Sequence, residues 1–250
     1  MNPVLTITHN CLALTERTVL SAIAQSVETQ VYAIDNGSQD GSLEWLTRKS
    51  LLLDAASINA GVSAAWNCGL EILFGRGADY VFIVNNDVIL PPWFCAELLS
   101  YDVPFITGVS VDSMDAIKAP AEKLPLQGAP DFSAFLIRRE AWEKIGPFDE
   151  GMKFYAQDVD YHVRSILAGM PLMKANVPFY HERSSTLKLA SETERHEIEA
   201  QADRDRAFFE KKWGYKVGSP EHYRAVGFEY SPGPPKVLFP GLHGDAIKLA

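Results

Sequence analysis

The 250-residue chain reads as an α/β protein, with a mostly parallel central sheet flanked by helices in its first half and a mixed second half. Three observations predict this class. Short β-type runs alternate with helical patterns through the first half. The run at 80–84 is apolar throughout, as a strand buried on both faces is. Polar, Gly-containing clusters follow directly after strands, where an open parallel sheet presents its ligands.

Residues 4–8 are rich in β-branched side chains and form the first strand. A helix follows, with Thr15 as N-cap and Leu20, Ile23, Ala24 and Val27 at the spacing of one buried face. Residues 31–34 make the second strand, which ends in the turn-rich segment DNGSQDGS at 35–42. Ser42 caps a short helix through Leu46. Residues 51–53 are a weaker third strand. Asn59, Ala60 and Gly61 then open a helix whose face is Val62, Ala65, Trp66, Gly69, Leu70 and Leu73. The strand at 80–84 stops at Asn85, Asn86 and Asp87, and Pro91 and Pro92 start another helix. This βαβαβαβ order puts the clusters at 35–42 and 85–87 on the same edge of the sheet.

The second half begins with a strand at 105–109. Residues 112–129, with Pro120, Pro125 and Gly128, read as a long irregular loop. A strand at 132–137 and a short helix at 139–145 follow, broken by Gly146 and Pro147. The helix at 158–168 has Val159, Val163, Ile166 and Leu167 as its apolar positions. A strand-like run at 173–177 precedes His181, and 191–213 is a long charged helix. The tail after Gly218 carries Pro232, Gly233, Pro234 and Pro235 and reads as an extension wrapping the rest.

Composition narrows the function classes. Hydrophobic residues make up 47% and charged residues 22%, a folded rather than disordered balance. Lys and Arg total 23 against 32 Asp and Glu, a net charge of −9, which disfavours general nucleic-acid binding. A local basic patch at Arg138 and Arg139 or at Lys211 and Lys212 leaves room for nucleic acid. No apolar run approaches the ~20 residues of a membrane span, and the N-terminus lacks the pattern of a signal peptide. Cys11, Cys68 and Cys95 have no CxxC spacing, so they are expected as buried small apolar residues of a cytoplasmic protein, without a zinc site.

Several polar groups could carry chemistry. In the 35–42 loop, glycines permit close backbone approach and Asp35 can accept a hydrogen bond from a base N–H; an ordinary Asx- and Gly-rich turn has the same composition. Asn85, Asn86 and Asp87 suit Mg²⁺ or Mn²⁺, or a strand-terminating Asx turn. Asp158 and Asp160 open a helix, as a general base or as dipole-favoured carboxylates. His181 is a candidate ligand or a structural histidine. Neither a GxGxxG nor a GxxxxGK[ST] motif is present.

The order of these groups is more specific than any one of them. Thr8, His9 and Asn10 end a strand, then come DNGSQDGS, Asn59 and Gly61, IVNND at 83–87, Gly146 with Phe148 and Asp149, and Gln157, Asp158, Val159 and Asp160 with Arg164 and Gly169, then His181. Across roughly residues 3–215 this resembles the family 2 inverting glycosyltransferases of GT-A fold, especially the rhamnosyltransferase-like branch. The resemblance implies a Rossmann-like sheet and a catalytic domain at 1–215, with a nucleotide-sugar-binding half at 1–110, an acceptor half at 111–215 and an extension at 216–250. It implies that Asp35 reads a uracil or thymine ring, with Thr8, Asn10, Asn36, Ser38, Asn59, Gly61, Asn85 and Asn86 around the nucleotide. Asn67 matches the same motif region. Asp87 matches the last residue of the DxD-type motif that binds Mn²⁺ or Mg²⁺, and His181 a histidine near the metal or diphosphate. Asp158 matches the catalytic base of a Glu-Asp motif in which Gln157 replaces the usual Glu. The implied partners are a UDP- or dTDP-sugar donor and a glycan or other hydroxyl acceptor.

Three rivals remain at this level. A nucleotidyltransferase would carry basic residues in a Gly-rich loop near the N-terminus, whereas the first Lys or Arg here is Arg17, inside the first helix. A non-catalytic sugar-nucleotide or glycan-binding module is favoured by Gln157, Asn85 and Asn86 and opposed by Asp158 and Asp87. A glycosyltransferase acting on modified DNA is disfavoured by the charge.

Overall fold

The computed structural model describes residues 1–120, 122–126, 129–182, 192–229 and 236–237. Gly128, Ser191 and the Pro- and Gly-rich stretch at 232–235 lie outside the described residues. The first half runs β1 (Asn2–Thr8), α1 (Leu12–Ile23), β2 (Thr29–Asn36), α2 (Ser42–Arg48), β3 (Leu52–Ala56), α3 (Val62–Gly75), β4 (Tyr80–Asn85), β5 (Val88–Ile89), α4 (Phe94–Leu99) and β6 (Phe105–Val111). Then come β7 (Pro125–Leu126), β8 (Ala134–Arg138), α5 (Arg139–Ile145), α6 (Gln157–Leu167), β9 (Met173–His181), α7 (Glu192–Trp213), α8 (Pro220–Ala225), β10 (Phe228–Glu229) and β11 (Lys236–Val237).

Among the described residues nine strands form one sheet in the order β3-β2-β1-β4-β8-β6-β9-β5, with β7 also paired to β9. β1, β2, β3, β4, β6 and β9 run one way; β5, β7 and β8 run the other. β10 and β11 pair as a separate antiparallel ribbon. The chain leaves β1 to one side for β2 and returns to its other side for β4, so a crevice opens between the ends of β1 and β4.

Period-2 alternation divides the core between the sheet's faces. Val4, Phe82 and Val84 pack on one side with residues of α1, α2 and α4. Leu5, Val81, Ile83 and Phe135 pack on the other with Trp66 and Leu70 of α3 and Tyr161 of α6. A third cluster, Met152, Ala156, Val163, Phe209, Val226 and Phe228, seats α7 and the chain after it against the start of α6.

Helix α1 turns a face other than the one its apolar spacing selects, and α6 departs from its expected face at one end. In α1, Leu20 and Ile23 are exposed, and the buried residues are Thr15, Thr18, Val19 and Ala22. The threonines bury because their hydroxyls are satisfied. Thr15 shares a hydrogen bond of 2.6 Å with Thr8, and Thr18 donates to the Val88 carbonyl at 2.7 Å. Thr15 is therefore interior, and Cys11 stands at the N-cap. In α6, Val163 is buried and Val159 packs beside it as expected, but Leu167 is 72% exposed while Asp160, Tyr161 and Ser165 are buried. Smaller differences follow the same logic. Gly41 caps α2 and the Ser42 hydroxyl turns back to Asp40 at 2.6 Å. Helix α4 begins at Phe94, beyond Pro91 and Pro92. Cys95 is buried as expected, but Cys11 and Cys68 are partly exposed; all three are free thiols. Among the described residues no helix is long and apolar enough to cross a membrane.

Candidate functional site

A cleft of about 660 Å³ opens at the β1–β4 crevice and extends over β8, β6 and β9. It gathers the segment Asn85, Asn86 and Asp87 with Asp158 and His181, three stretches far apart in sequence. Ile7, Val62, Trp66 and Phe154 supply an apolar wall. A smaller hollow of about 370 Å³ beside α3 and α6 is lined by Asn67, Asp149, Arg164 and Lys212 among others, and those four are already engaged with one another's neighbourhood. Asn67 staples α3 to the Phe148 backbone in both directions, at 2.9 and 2.8 Å, which is a structural role.

Asp158 sits in the first turn of α6. Burial raises its carboxyl above the ordinary 3.8, the charge of Asp131 adds to the rise, and the N–H groups of Val159 and of Asp158 itself pull the other way. Asp131 is held in the opposite sense. Burial works against its charge, but hydrogen bonds from Ser110 and Ser133 outweigh it and lower its pKa. One cleft thus contains two carboxylates whose surroundings push their pKa values apart, the arrangement that separates a proton acceptor from a fixed charge.

The start of α6 is held from outside. Ala156 adopts a left-handed φ of 66° at the N-cap, a conformation costly for a residue with a Cβ. Buried Asp205 of α7 accepts from the Phe154 and Tyr155 N–H groups at 2.9 and 3.0 Å and from Gln201 at 2.6 Å. Fully buried Asp160 bonds Arg164 at 2.8 Å, Trp213 at 2.9 Å and Lys212 at 2.6 Å. Helix α7 therefore grips the chain on both sides of Gln157 and Asp158.

At the other side of the cleft Asp87 Oδ1 lies 3.2 Å from His181 Nε2. The β5–β9 pairing places Val88 opposite His181, and the Glu182 N–H donates to the Asp87 carbonyl at 3.0 Å, so the two side chains meet through backbone register. A carboxylate and an imidazole fit Mn²⁺ or Mg²⁺. Among the described residues no group of three or more His, Cys, Asp or Glu is gathered, so water and ligand oxygens would complete the shell, as is usual for such ions.

The remaining expected nucleotide residues, Thr8, Asn10, Asp35, Asn36, Ser38, Asn59 and Gly61, cluster beside the cleft without lining it. They are pinned to one another. Asn36 donates to Asn59 Oδ1 at 3.0 Å and to the Gly61 carbonyl at 3.2 Å, and accepts from Ala60 N–H at 3.0 Å. Ser38 Oγ accepts from Asn10 N–H, and Asn10 Oδ1 from Gln39 N–H, both at 2.8 Å. Gly61 has φ of 99°, and a Cβ there would stand 2.9 Å from Lys153 Cβ. Thr8 joins this cluster to the cleft by accepting from Asn86 at 3.3 Å. One atom is left over: Asp35 Oδ1 accepts from Ser38 N–H at 2.9 Å, while Asp35 Oδ2 is buried without a partner.

Sequence reasoning missed Asp131 and Lys174, both of which line the cleft. The only signals were an Asp two residues before Ser133 at a strand entry, and a cation near the start of the strand-like run at 173–177. The basic pairs considered for nucleic acid are engaged internally in three of four residues. Arg138 bonds the Val103 carbonyl, Arg139 the Phe74 and Ala78 carbonyls, and Lys212 Asp149 and Asp160.

A family model described as glycosyl transferase family 2 matches residues 4–162. No curated protein matches in sequence. Among solved structures, the mannosyltransferase PcManGT from Pyrobaculum calidifontis, in complex with GDP-Man and Mn²⁺, aligns with a TM-score of 0.60 at 16% identity, over 90% of this chain and 67% of that one. Glucosyl-3-phosphoglycerate synthase from Mycobacterium tuberculosis, in complex with Mn²⁺, UDP and glucosyl-3-phosphoglycerate, aligns with a TM-score of 0.57 at 13% identity, over 86% of this chain and 80% of that one. TarS 1-349 from S. aureus aligns with a TM-score of 0.51 at 15% identity, over 91% and 79%. At such identities the likeness is one of fold.

Proposed function

Because this chain belongs to glycosyl transferase family 2, we propose that it moves a sugar from a nucleotide-sugar donor to an acceptor hydroxyl with inversion, with Asp158 as general base. The GT-A-type α/β fold of its structural neighbours supports this. The observation that carries the reading is that a single cleft holds both Asp158 and the Asp87–His181 pair.

The chemistry is a single displacement. The acceptor hydroxyl attacks the anomeric carbon from the face opposite the diphosphate, and its proton passes to Asp158. One positioned carboxylate suffices. A carboxyl raised above the ordinary range takes that proton more readily than an unperturbed Asp. Asp131, kept ionised by its hydrogen bonds, supports that rise. Asp87 and His181 would hold Mn²⁺ or Mg²⁺, which when bound supplies positive charge to the departing diphosphate. Asp35 Oδ2, buried and unpartnered, offers one acceptor, matching the single imide N–H of uracil or thymine. That favours a UDP- or dTDP-linked donor, although one neighbour is a GDP-Man complex. Motif order favours the rhamnosyltransferase-like branch and a catalytic unit at 1–215, divided near 110, with an extension beyond.

Replacing Asp158 with Asn should lower turnover by about 10²–10⁴ while calorimetry still detects the sugar nucleotide. Near-wild-type transfer by that variant would remove Asp158 as the base. In Asp87→Ala the sugar nucleotide should bind alike with and without Mn²⁺; a retained Mn²⁺ dependence would place the cation elsewhere.

A further inference from the structure

Lys174 is the one Lys or Arg among the described residues lining the cleft, alongside Asp87, Asp131 and Asp158. It is half-buried, on β9, in register with Thr107 of β6. Among the described residues no carboxylate lies within ion-pair distance of its ammonium. The carboxylates of the cleft have other partners: Asp131 has Ser110 and Ser133, Asp158 the Val159 N–H, and Asp87, farther off, His181.

An ammonium in a wet cleft is solvated. A ligand that displaces the water leaves it uncompensated unless the ligand brings the counter-charge. The donor diphosphate belongs with Asp87 and His181, and Lys174 is remote from them. It precedes His181 by seven positions on β9. Lys174 is the second residue of that strand and His181 the last, so the two stand at its opposite ends. A second anion is therefore called for, on the acceptor.

Gln157 points the same way by a separate observation. Its side chain is 7% exposed, it lines the cleft, and its Oε1 has no hydrogen-bond partner. Where the family resemblance expects a carboxylate there is a neutral amide, so a charge that would repel an anionic acceptor is missing. The amide oxygen remains able to accept from a hydroxyl.

We propose that the acceptor is a hydroxylated molecule bearing a phosphate or carboxylate, with Lys174 binding the anionic group and Gln157 Oε1 accepting from a neighbouring hydroxyl. This rests on the transferase reading of the cleft and adds the substrate class.

The test uses the full chain with Mg²⁺ and whichever of UDP, dTDP and GDP binds holding the donor end. Lysines are ¹³C-methylated, and the Lys174 resonance is identified by its loss in Lys174→Met. Glucose, glucose 6-phosphate and glucuronate are titrated in turn, and binding is also followed by calorimetry. The charged sugars should bind about tenfold or more tightly than glucose and shift the Lys174 resonance saturably. The preference should vanish in Lys174→Met, survive in Lys174→Arg and weaken in Gln157→Glu, each variant's folding being confirmed by its melting curve. Equal binding of charged and neutral sugars, absence of binding by all three, or a preference that survives Lys174→Met overturns the proposal. If the wild type binds none of UDP, dTDP and GDP, the transferase reading itself fails; if one of them binds and holds the donor end but the sugars behave alike, only the Lys174 assignment does.

Discussion

At Asp158 the demands of stability and of chemistry oppose each other. Its pKa in the folded chain lies above the ordinary 3.8, because burial and Asp131 disfavour the charge. The folded state then binds that proton more tightly than the unfolded chain. Its stabilising contribution is complete below pH 3.8 and is lost as pH rises through the raised value. Asp158→Asn removes that loss. Near neutral pH the variant should melt higher than the wild type while transferring more slowly, and the difference should shrink on acidification. Scanning calorimetry from about pH 4 to about pH 8 checks this; a melting temperature at or below wild type near neutral pH would show that the carboxylate is not strained by its surroundings. The sequence showed Asp158 as a carboxylate at a helix start. It did not show Asp131, at a strand entry 27 positions earlier, whose charge adds to the effect of burial on Asp158.

At the scale of elements, α7 is a support for α6. Asp205 accepts from two backbone N–H groups immediately before α6, and Asp160 ties the first turn of α6 to the last turn of α7. Asp205→Ala leaves those N–H groups without their acceptor and should cost about 2–4 kcal/mol, read as a lower urea midpoint. Turnover should fall beyond what the unfolded fraction explains, because Phe154, Gln157 and Asp158 lose their anchor. A stable variant with full turnover would reduce α7 to a passive cover. The elements themselves were largely legible: the alternating strands and helices up to β4, α5 and the long α7 stand where periodicity places them. The buried face of α1, and the polar part of that of α6, were not. Thr15, Thr18 and Asp160 look like solvent-side residues until a partner elsewhere in the chain satisfies them.

For the molecule as a whole, a net charge of −9 sets the problem of holding a diphosphate beside three carboxylates. Binding should therefore depend on an added cation. A sugar nucleotide at about 100 times its Kd, with Mn²⁺, should stabilise the fold by about 2.7 kcal/mol and raise Tm by roughly 5–10 °C. The shift should largely disappear with chelator. A thermal-shift panel of UDP-, dTDP- and GDP-sugars with Mn²⁺ or Mg²⁺ measures this, and an equal shift with chelator present would exclude a metal-dependent donor site.

The sequence by itself determined the fold class, the edge of the sheet where polar clusters accumulate, and the order of groups carried there. These are local properties: period-2 and period-3.6 patterns, turn residues after strands, and the spacing between them. The tertiary structure alone decided that Asp87 meets His181, that Asp131 shares a cleft with Asp158, that Asp205 holds residues 51 positions away and that Lys174 looks into the cleft unpaired. It also decided that Asn36 and Ser38 tie loops together while Asp35 keeps one oxygen open. The physical reason is that burial of a polar group depends on whether a partner reaches it, and the partner comes from another strand or helix through pairing and packing that local pattern does not record.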